Sequence, residues 1–278
     1  VLVVEADFVF EETFQHADSL KFVGSCRNAT GHIDVDAATR RGVVVVNTPG
    51  RNAQSVAEHV LGLMLSLARR IPAAHRYVTE GRWQNPAEPY ISMRGVELAG
   101  RTLGVIGLGS IGGRLAQIGS ALGMKVVAHD PYIKRPPAAV ALVDLDELMA
   151  RSDFVIVQVP LTEETETLID APRLAIMKPT AYLVNASDAA VVDQEALTEA
   201  LYHRRIAGAA LDVFETHPLQ THSPLLTLDN VVLTPHLAGA TQETVERHSR
   251  MMTADILRFL KGRRPKNLVN PEAWDRRG

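Results

Sequence analysis

Short β-branched runs alternate with helical stretches along the chain. Val1–Val4, Phe22–Ser25 and Val43–Val46 are apolar runs separated by polar and helical material. They predict parallel strands of a first, smaller domain. A loop of small and polar residues, Cys26–Asp34, lies among them, and Asn47–Asn52 is a turn cluster and candidate hinge. Val56–Ala68 is apolar almost all round, through Val60, Leu61, Leu63, Met64, Leu65 and Leu67. That pattern predicts a helix buried in a core or a subunit interface, capped by Ser55 with Glu58 as its capping-box partner. Ile71–Glu80 predicts another helix, and Gly81–Leu98 an irregular arm carrying Trp83 and Tyr90.

The alternation restarts at Thr102. Leu103–Ile106, Val126–Ala128, Phe154–Val159, Ala181–Asn185, Ile206–Val213 and Val231–Thr234 predict strands. Helical spacing links them through Leu115, Ile118, Ala121 and Leu122, then Val143–Ala150, a short helix closing at Ala175–Lys178, and Asp193–Tyr202. A last helix, Gln242–Lys261, precedes a Pro-containing tail. Repeated β-α units predict an α/β fold with a doubly wound, mostly parallel sheet. Ligands are expected at the C-terminal ends of its strands.

Composition narrows the function classes. The 278 residues suffice for two domains. A net charge of −3 leaves no basic field for nucleic acid. The longest apolar run, Val60–Leu65, is far short of the ~20 residues that span a bilayer. Acidic residues from Glu5 onward argue against a signal peptide. The single Cys26 excludes an intrachain disulfide and suits a reducing, cytoplasmic setting. The chain opens on Val1, already inside a strand-like run, so a missing or processed start is expected.

One stretch carries the strongest chemistry. A strand runs into Gly107-Leu-Gly109-Ser110-Ile111-Gly112, a helix follows, and a second strand ends at Asp130. Gly107 suits the tight turn, Gly109 the close approach of a pyrophosphate, and Gly112 close helix–strand packing. The helix N-terminus offers N–H groups and partial positive charge to phosphates. Asp130 follows Gly112 at about the twenty-residue spacing of a ribose-binding acid. A carboxylate there accepts ribose hydroxyls and repels a 2′-phosphate, so the expected cofactor is NAD rather than NADP.

These residues, with Val159-Pro-Leu-Thr-Glu-Glu-Thr165, Val184-Asn-Ala-Ser187, Gly208–Phe214 and Leu233-Thr-Pro-His-Leu-Ala-Gly239, resemble the D-isomer-specific 2-hydroxyacid dehydrogenase family, phosphoglycerate dehydrogenase-like, over nearly the whole chain. The resemblance implies a Rossmann domain, 52–239, inserted into a smaller flavodoxin-like domain formed by 1–51 and 240–278 that lacks its first strand–helix. It implies a homodimer through the helices and arm before the glycine motif. It implies that Pro160, Thr165, Ala186, Asp212 and Gly239 join Gly107, Gly109, Ser110, Ile111, Gly112 and Asp130 in holding NAD. The loop Asn28-Ala29-Thr30 would bind a small-molecule substrate's carboxylate through its amides, although Ala29 stands where Gly is usual and a positive-φ turn would be disturbed.

The family moves a hydride between C2 of a 2-hydroxy acid and the nicotinamide, using a His general base, a Glu behind it and an Arg on the carboxylate. His236 supplies the base. The family pattern puts Arg where this chain has Asp188, and Glu where it has His217. Charge reversal at ~4 Å and an effective dielectric near 20 turns ~4 kcal/mol of attraction into repulsion. Ordinary 2-hydroxy and 2-keto acids should therefore be poor substrates. His217 in place of a carboxylate removes the partner that keeps His236 basic, a loss that Asp188 partly offsets if it reaches either imidazole. Three readings follow: an oxidoreductase with an altered substrate, for instance one carrying an amine that pairs with Asp188; an NAD-binding sensor or scaffold; or a metal site of Asp188, His217 and His236. No metal is the expectation, because the Arg and His positions face the substrate from different sides.

Overall fold

The computed structural model describes residues 1–276. Two compact units divide the chain, Val1–Asn52 with the segment from Thr241 onward, and Ala53–Ala240.

The smaller unit is built on three strands, β1 (Leu2–Val4), β2 (Phe22–Ser25) and β3 (Val44–Val46), parallel and in that order. Helices α1 (Glu11–Gln15) and α2 (Val35–Arg40) connect them, and α10 (Gln242–Leu260) and α11 (Pro271–Asp275) close the unit. Asp34 caps α2 by accepting the Ala37 N–H at 2.8 Å. β2 and β3 are buried at every position, which is why β3 reads as a continuous valine run rather than an alternating pattern, whereas Val3 of the edge strand β1 is exposed. One face packs with Phe14, Ile33, Ala37 and Ala38. The other carries Phe22, Val44 and Val46 against Met252 and Phe259 of α10. A Cβ on Gly24 would lie 2.3 Å from the Met252 sulfur, so glycine here lets α10 approach the sheet. The tail then runs along the free edge of β3. Val269 donates its N–H to the Val45 carbonyl, and the buried Asn270 accepts the Val45 N–H at 2.8 Å. That pairing protects an edge that would otherwise be open.

The larger unit carries a seven-stranded sheet. Its strands are β4 (Thr102–Ile106), β5 (Lys125–His129), β6 (Val140–Leu142), β7 (Phe154–Val157), β8 (Tyr182–Asn185), β9 (Gly208–Leu211) and β10 (Val231–Leu233). All neighbours are parallel, in the order β10-β9-β8-β7-β4-β5-β6. Chain order reverses between β4 and β7, the switch point at which ligands bind in such sheets. Helices α3 (Ala53–Ala68) and α6 (Ser110–Ala121) belong to one hydrophobic layer, and α7 (Leu145–Arg151) and α9 (Gln194–Tyr202) to the other. The remaining helices are α4 (Ile71–Thr79), α5 (Ala87–Ser92) and α8 (Ala171–Ala175). No helix among the described residues is long and apolar enough to cross a membrane.

Several local expectations are corrected. Helix α3 starts at Ala53, so Ser55 lies inside it and donates to the Ala238 carbonyl at 2.6 Å. Glu58 accepts from Gln54 at 2.6 Å rather than closing a capping box. Within the single chain Val60 and Met64 of this helix are buried and Leu65 is 36% exposed, as a helix shared between a core and a subunit interface would be. The arm is not wholly irregular, because α5 forms within it. Strand β6 escaped the reading because it is a three-residue edge strand with two exposed positions.

Candidate functional site

Where β4 ends, Gly107 turns the chain with φ at +89°, a conformation that favours glycine. A Cβ on it would meet the Gln158 carbonyl at 2.5 Å. A Cβ on Gly112 would lie only 1.9 Å from the Gly107 carbonyl, so the first turn of α6 rests on the strand exit. Gly109 has nothing within 4 Å of its Cβ position. It is the N-cap of α6 and gives no side-chain cap, leaving the first turn's amides, from Ser110, Ile111 and Gly112, for an anion. Beyond β5, Asp130 accepts the Leu108 N–H at 2.8 Å and the Tyr132 N–H at 2.9 Å, one on each oxygen. Its carboxylate is thus fixed, with a lone pair on each oxygen left for ribose hydroxyls. The arrangement fits NAD. Thr165 donates to the Pro160 carbonyl at 2.6 Å in the loop after β7, Ala186 follows β8, and Gly239 lies beyond β10. All lie C-terminal to the strands they follow.

His236 sits in the loop after β10, with a left-handed φ of +57°. The loop is held from behind by Asp212, which is wholly buried. Asp212 accepts the Thr234 hydroxyl at 2.6 Å and the Leu237 N–H at 2.8 Å on Oδ1, and the Ala238 N–H at 2.8 Å on Oδ2. A buried carboxylate requires such donors. The His217 ring lies 5.3 Å from that of His236, at 48°. Beside His217 an apolar cavity of about 510 Å³ is lined by Phe214, Leu219, Leu226 and Leu233.

Asp188 is engaged locally. Its Oδ1 accepts the Ala190 N–H at 3.1 Å, capping the 3-10 turn Ala189–Val191. Among the described residues it forms no ion pair and no bond to either imidazole, so the offset considered above is not made. No three His, Cys, Asp or Glu side chains among the described residues are placed to hold a metal ion. The sequence reading also missed His59 of α3, whose Nε2 lies 3.2 Å from the Thr234 hydroxyl and 3.4 Å from Asp212. A histidine amid the apolar residues of α3 was the available signal.

In the smaller unit, the Asn28 carbonyl accepts from Asn47 at 2.7 Å, and the Thr30 carbonyl accepts the Ile33 N–H. Among the described residues the amides of Asn28, Ala29 and Thr30 have no protein acceptor. Ala29 is not in a left-handed conformation, so the expected disturbance does not arise. Arg51 is mostly buried, bonded to His248 at 3.1 Å and paired with Glu5 at 3.4 Å. Burial first, and the Arg51 charge second, lower the His248 pKa and favour the neutral, accepting imidazole.

Comparison with known proteins agrees with this geometry. The family described as "D-isomer specific 2-hydroxyacid dehydrogenase, NAD binding domain" matches residues 61–238. The D-3-phosphoglycerate dehydrogenase of Archaeoglobus fulgidus is 44% identical over 93% of this chain and 49% of its own length. The glyoxylate reductase of Korarchaeum cryptofilum is 43% identical over 96% of this chain and 81% of its own. The chain therefore spans about half of the first and four-fifths of the second. Among solved structures, an acyclic imino acid reductase in complex with NADPH and D-Arg superposes with a TM-score of 0.85 at 30% identity, covering 96% of this chain and 85% of that one.

Proposed function

Because the chain belongs to the D-isomer-specific 2-hydroxyacid dehydrogenase family and carries its NAD-binding domain, we propose that it is an NAD-dependent oxidoreductase whose substrate is cationic at the reacting centre. The substrate class is a 2-imino or 2-amino acid, related to the family's 2-keto and 2-hydroxy acids by exchange of oxygen for nitrogen. The observation that carries the reading is Asp188. A carboxylate stands where the family pattern has Arg, and its Oδ2 takes no protein hydrogen bond among the described residues.

The cofactor, when bound, supplies the hydride. Reduction of a ketone also consumes a proton, which His236 would have to donate, and in this family a carboxylate behind the His supports that transfer. Here His217 stands in that place. An iminium, C=NH₂⁺, already carries its proton. Hydride addition to its carbon gives the neutral amine directly, and no acid is consumed. Asp188 favours the positive electrophile at the reacting carbon, and the substrate's own carboxylate then needs donors away from it. The free amides of Asn28, Ala29 and Thr30 in the smaller unit are donors of the kind a carboxylate needs. The imino acid reductase of similar fold supports the same class.

The test is NADH oxidation against glyoxylate, pyruvate, hydroxypyruvate and the same keto acids with excess ammonia or methylamine. Turnover that depends on the amine supports the reading. Fast amine-independent turnover of the keto acids overturns it, and NADH binding without turnover on any of them favours a sensor or scaffold.

We also infer a homodimer. Ile71 and Val78 of α4, Trp83 of the arm, and Tyr90 and Ile91 of α5 are all more than half exposed, an apolar set that a second copy would cover. Light scattering should read twice the 30.3 kDa chain mass.

A further inference from the structure

We propose that α3 acts as a clamp on the loop of His236, with His59 as a positioning residue for that imidazole. This rests on the proposed oxidoreductase reading for its kinetic consequence but not for its geometry.

Two side chains of α3, one helical turn apart, reach the loop on either side of His236. Ser55 donates to the Ala238 carbonyl at 2.6 Å. His59 Nε2 lies 3.2 Å from Thr234 Oγ1. Residues at i and i+4 share a helix face, so one rigid element holds positions 234 and 238 together. The helix is itself anchored in the core by Val56, Val60, Leu63 and Met64.

The proton on His59 follows from the network. Thr234 has one hydroxyl proton, and the 2.6 Å bond to Asp212 Oδ1 takes it. His59 Nε2 must therefore carry a hydrogen, donated to Thr234 Oγ1 and shared with Asp212 Oδ1 at 3.4 Å. Thr234, Leu237, Ala238 and His59 thus surround one buried carboxylate, and three of the four belong to the loop that presents His236. Without His59, Thr234 loses the donor on its outer side and the left-handed turn at His236 loses one of its two ties to α3. Misplacing a catalytic group by ~1 Å costs on the order of 100-fold in rate.

His59→Ala and His59→Gln variants of the whole 278-residue chain test this, because the Gln amide nitrogen approximates Nε2. Hydrogen exchange read on peptides spanning 233–240 should quicken about tenfold or more in His59→Ala and return toward the parent in His59→Gln. Exchange through β4 and α6 should not change. With the best substrate of the amine panel, His59→Ala should lower kcat about 10- to 100-fold, leave KM for NADH within about threefold, and be rescued by Gln. Unchanged exchange over 233–240, acceleration throughout the unit, or a Gln variant no better than Ala would each overturn the clamp. If the parent turns nothing over, the functional reading fails, while the exchange comparison still decides the clamp.

Discussion

The His217 and His236 rings lie with centroids 5.3 Å apart at 48°, and among the described residues neither is paired with a carboxylate. A carboxylate in that relationship would orient the imidazole and favour its charged form. A second imidazole brings no fixed negative charge to that position. His236 is therefore presented by its loop but not electrically supported from its neighbour. The loop geometry is intact, because Asp212 holds it from the other side. Under the proposed reading, the presentation and the activation of the base are separated in this chain.

NAD(H) should bind at least tenfold more tightly than NADP(H). Asp130 is held by the Leu108 and Tyr132 amides and cannot easily turn away from a 2′-phosphate. Calorimetric titration of both cofactors checks this, and equal affinities would contradict it.

Two glycines of one motif should fail differently. At Gly112 a methyl group collides with the Gly107 carbonyl, so Gly112→Ala should displace the start of α6 and lower both thermal stability and cofactor affinity. At Gly109 a methyl group meets no protein atom and φ is −62°, so Gly109→Ala should melt near the parent temperature. Its cofactor affinity should still fall about tenfold or more, since the methyl occupies space the pyrophosphate needs. Melting curves with and without NADH separate the two outcomes. A Gly109→Ala protein that binds NADH normally would contradict the placement of the pyrophosphate.

Asp153 gives a pH signature. Burial alone would raise its pKa, but the Thr102 N–H at 2.8 Å, Lys178 at 3.0 Å and the more distant Arg101 outweigh that and hold it below the usual carboxylate range. A depressed folded pKa means that the carboxylate stabilises the fold above the unfolded value, near about 4. That contribution is lost as pH falls through the folded value. Asp153→Asn should therefore lower the urea midpoint clearly at pH 6, with the gap to the parent narrowing below pH 4. A gap that does not change with pH would exclude the ionised carboxylate as its source.

The sheet was legible because buried parallel strands are continuous apolar runs and the glycine motif fixes the βαβ turn. Gly107, Gly112 and Asp130 could be placed for the same reason: each answers a local steric or hydrogen-bonding demand that spacing reveals. Ser55 misled because its serine-x-x-glutamate pattern is that of a cap, whereas the tertiary contact with Ala238 uses the hydroxyl inside the helix. His59 stood out only as a histidine in an apolar helix; its role was not legible because its partners, Thr234 and Asp212, lie far along the chain and no spacing rule joins them. Asp188 and His217 were legible only as departures from a resemblance. Their arrangement, one capping a 3-10 turn and the other beside His236, required coordinates.

The departures themselves can be reversed. Asp188→Arg with His217→Glu should turn the protein into a better reductase of simple 2-keto acids and a worse one of cationic substrates. The scaffold for this is present: the glycine motif, the fixed Asp130 and the loop that Asp212 pins are untouched by either change. Asp188→Arg alone should mainly lower KM for the keto acid, because it replaces repulsion of the carboxylate with a bidentate donor. The Ala190 amide loses its cap, a cost of about 1 kcal/mol, which the fold should tolerate. His217→Glu alone should mainly raise kcat and move the pH–rate profile upward, since a carboxylate beside His236 favours the imidazolium that donates the proton. Groups that act as a unit recover less singly than together, so the double variant should exceed the product of the single gains. Steady-state kinetics with glyoxylate and hydroxypyruvate across pH 5–9 measure both effects. A double variant that binds NADH yet stays inert on keto acids would locate the block elsewhere, and the free amides of Asn28–Thr30 would be the next place to test.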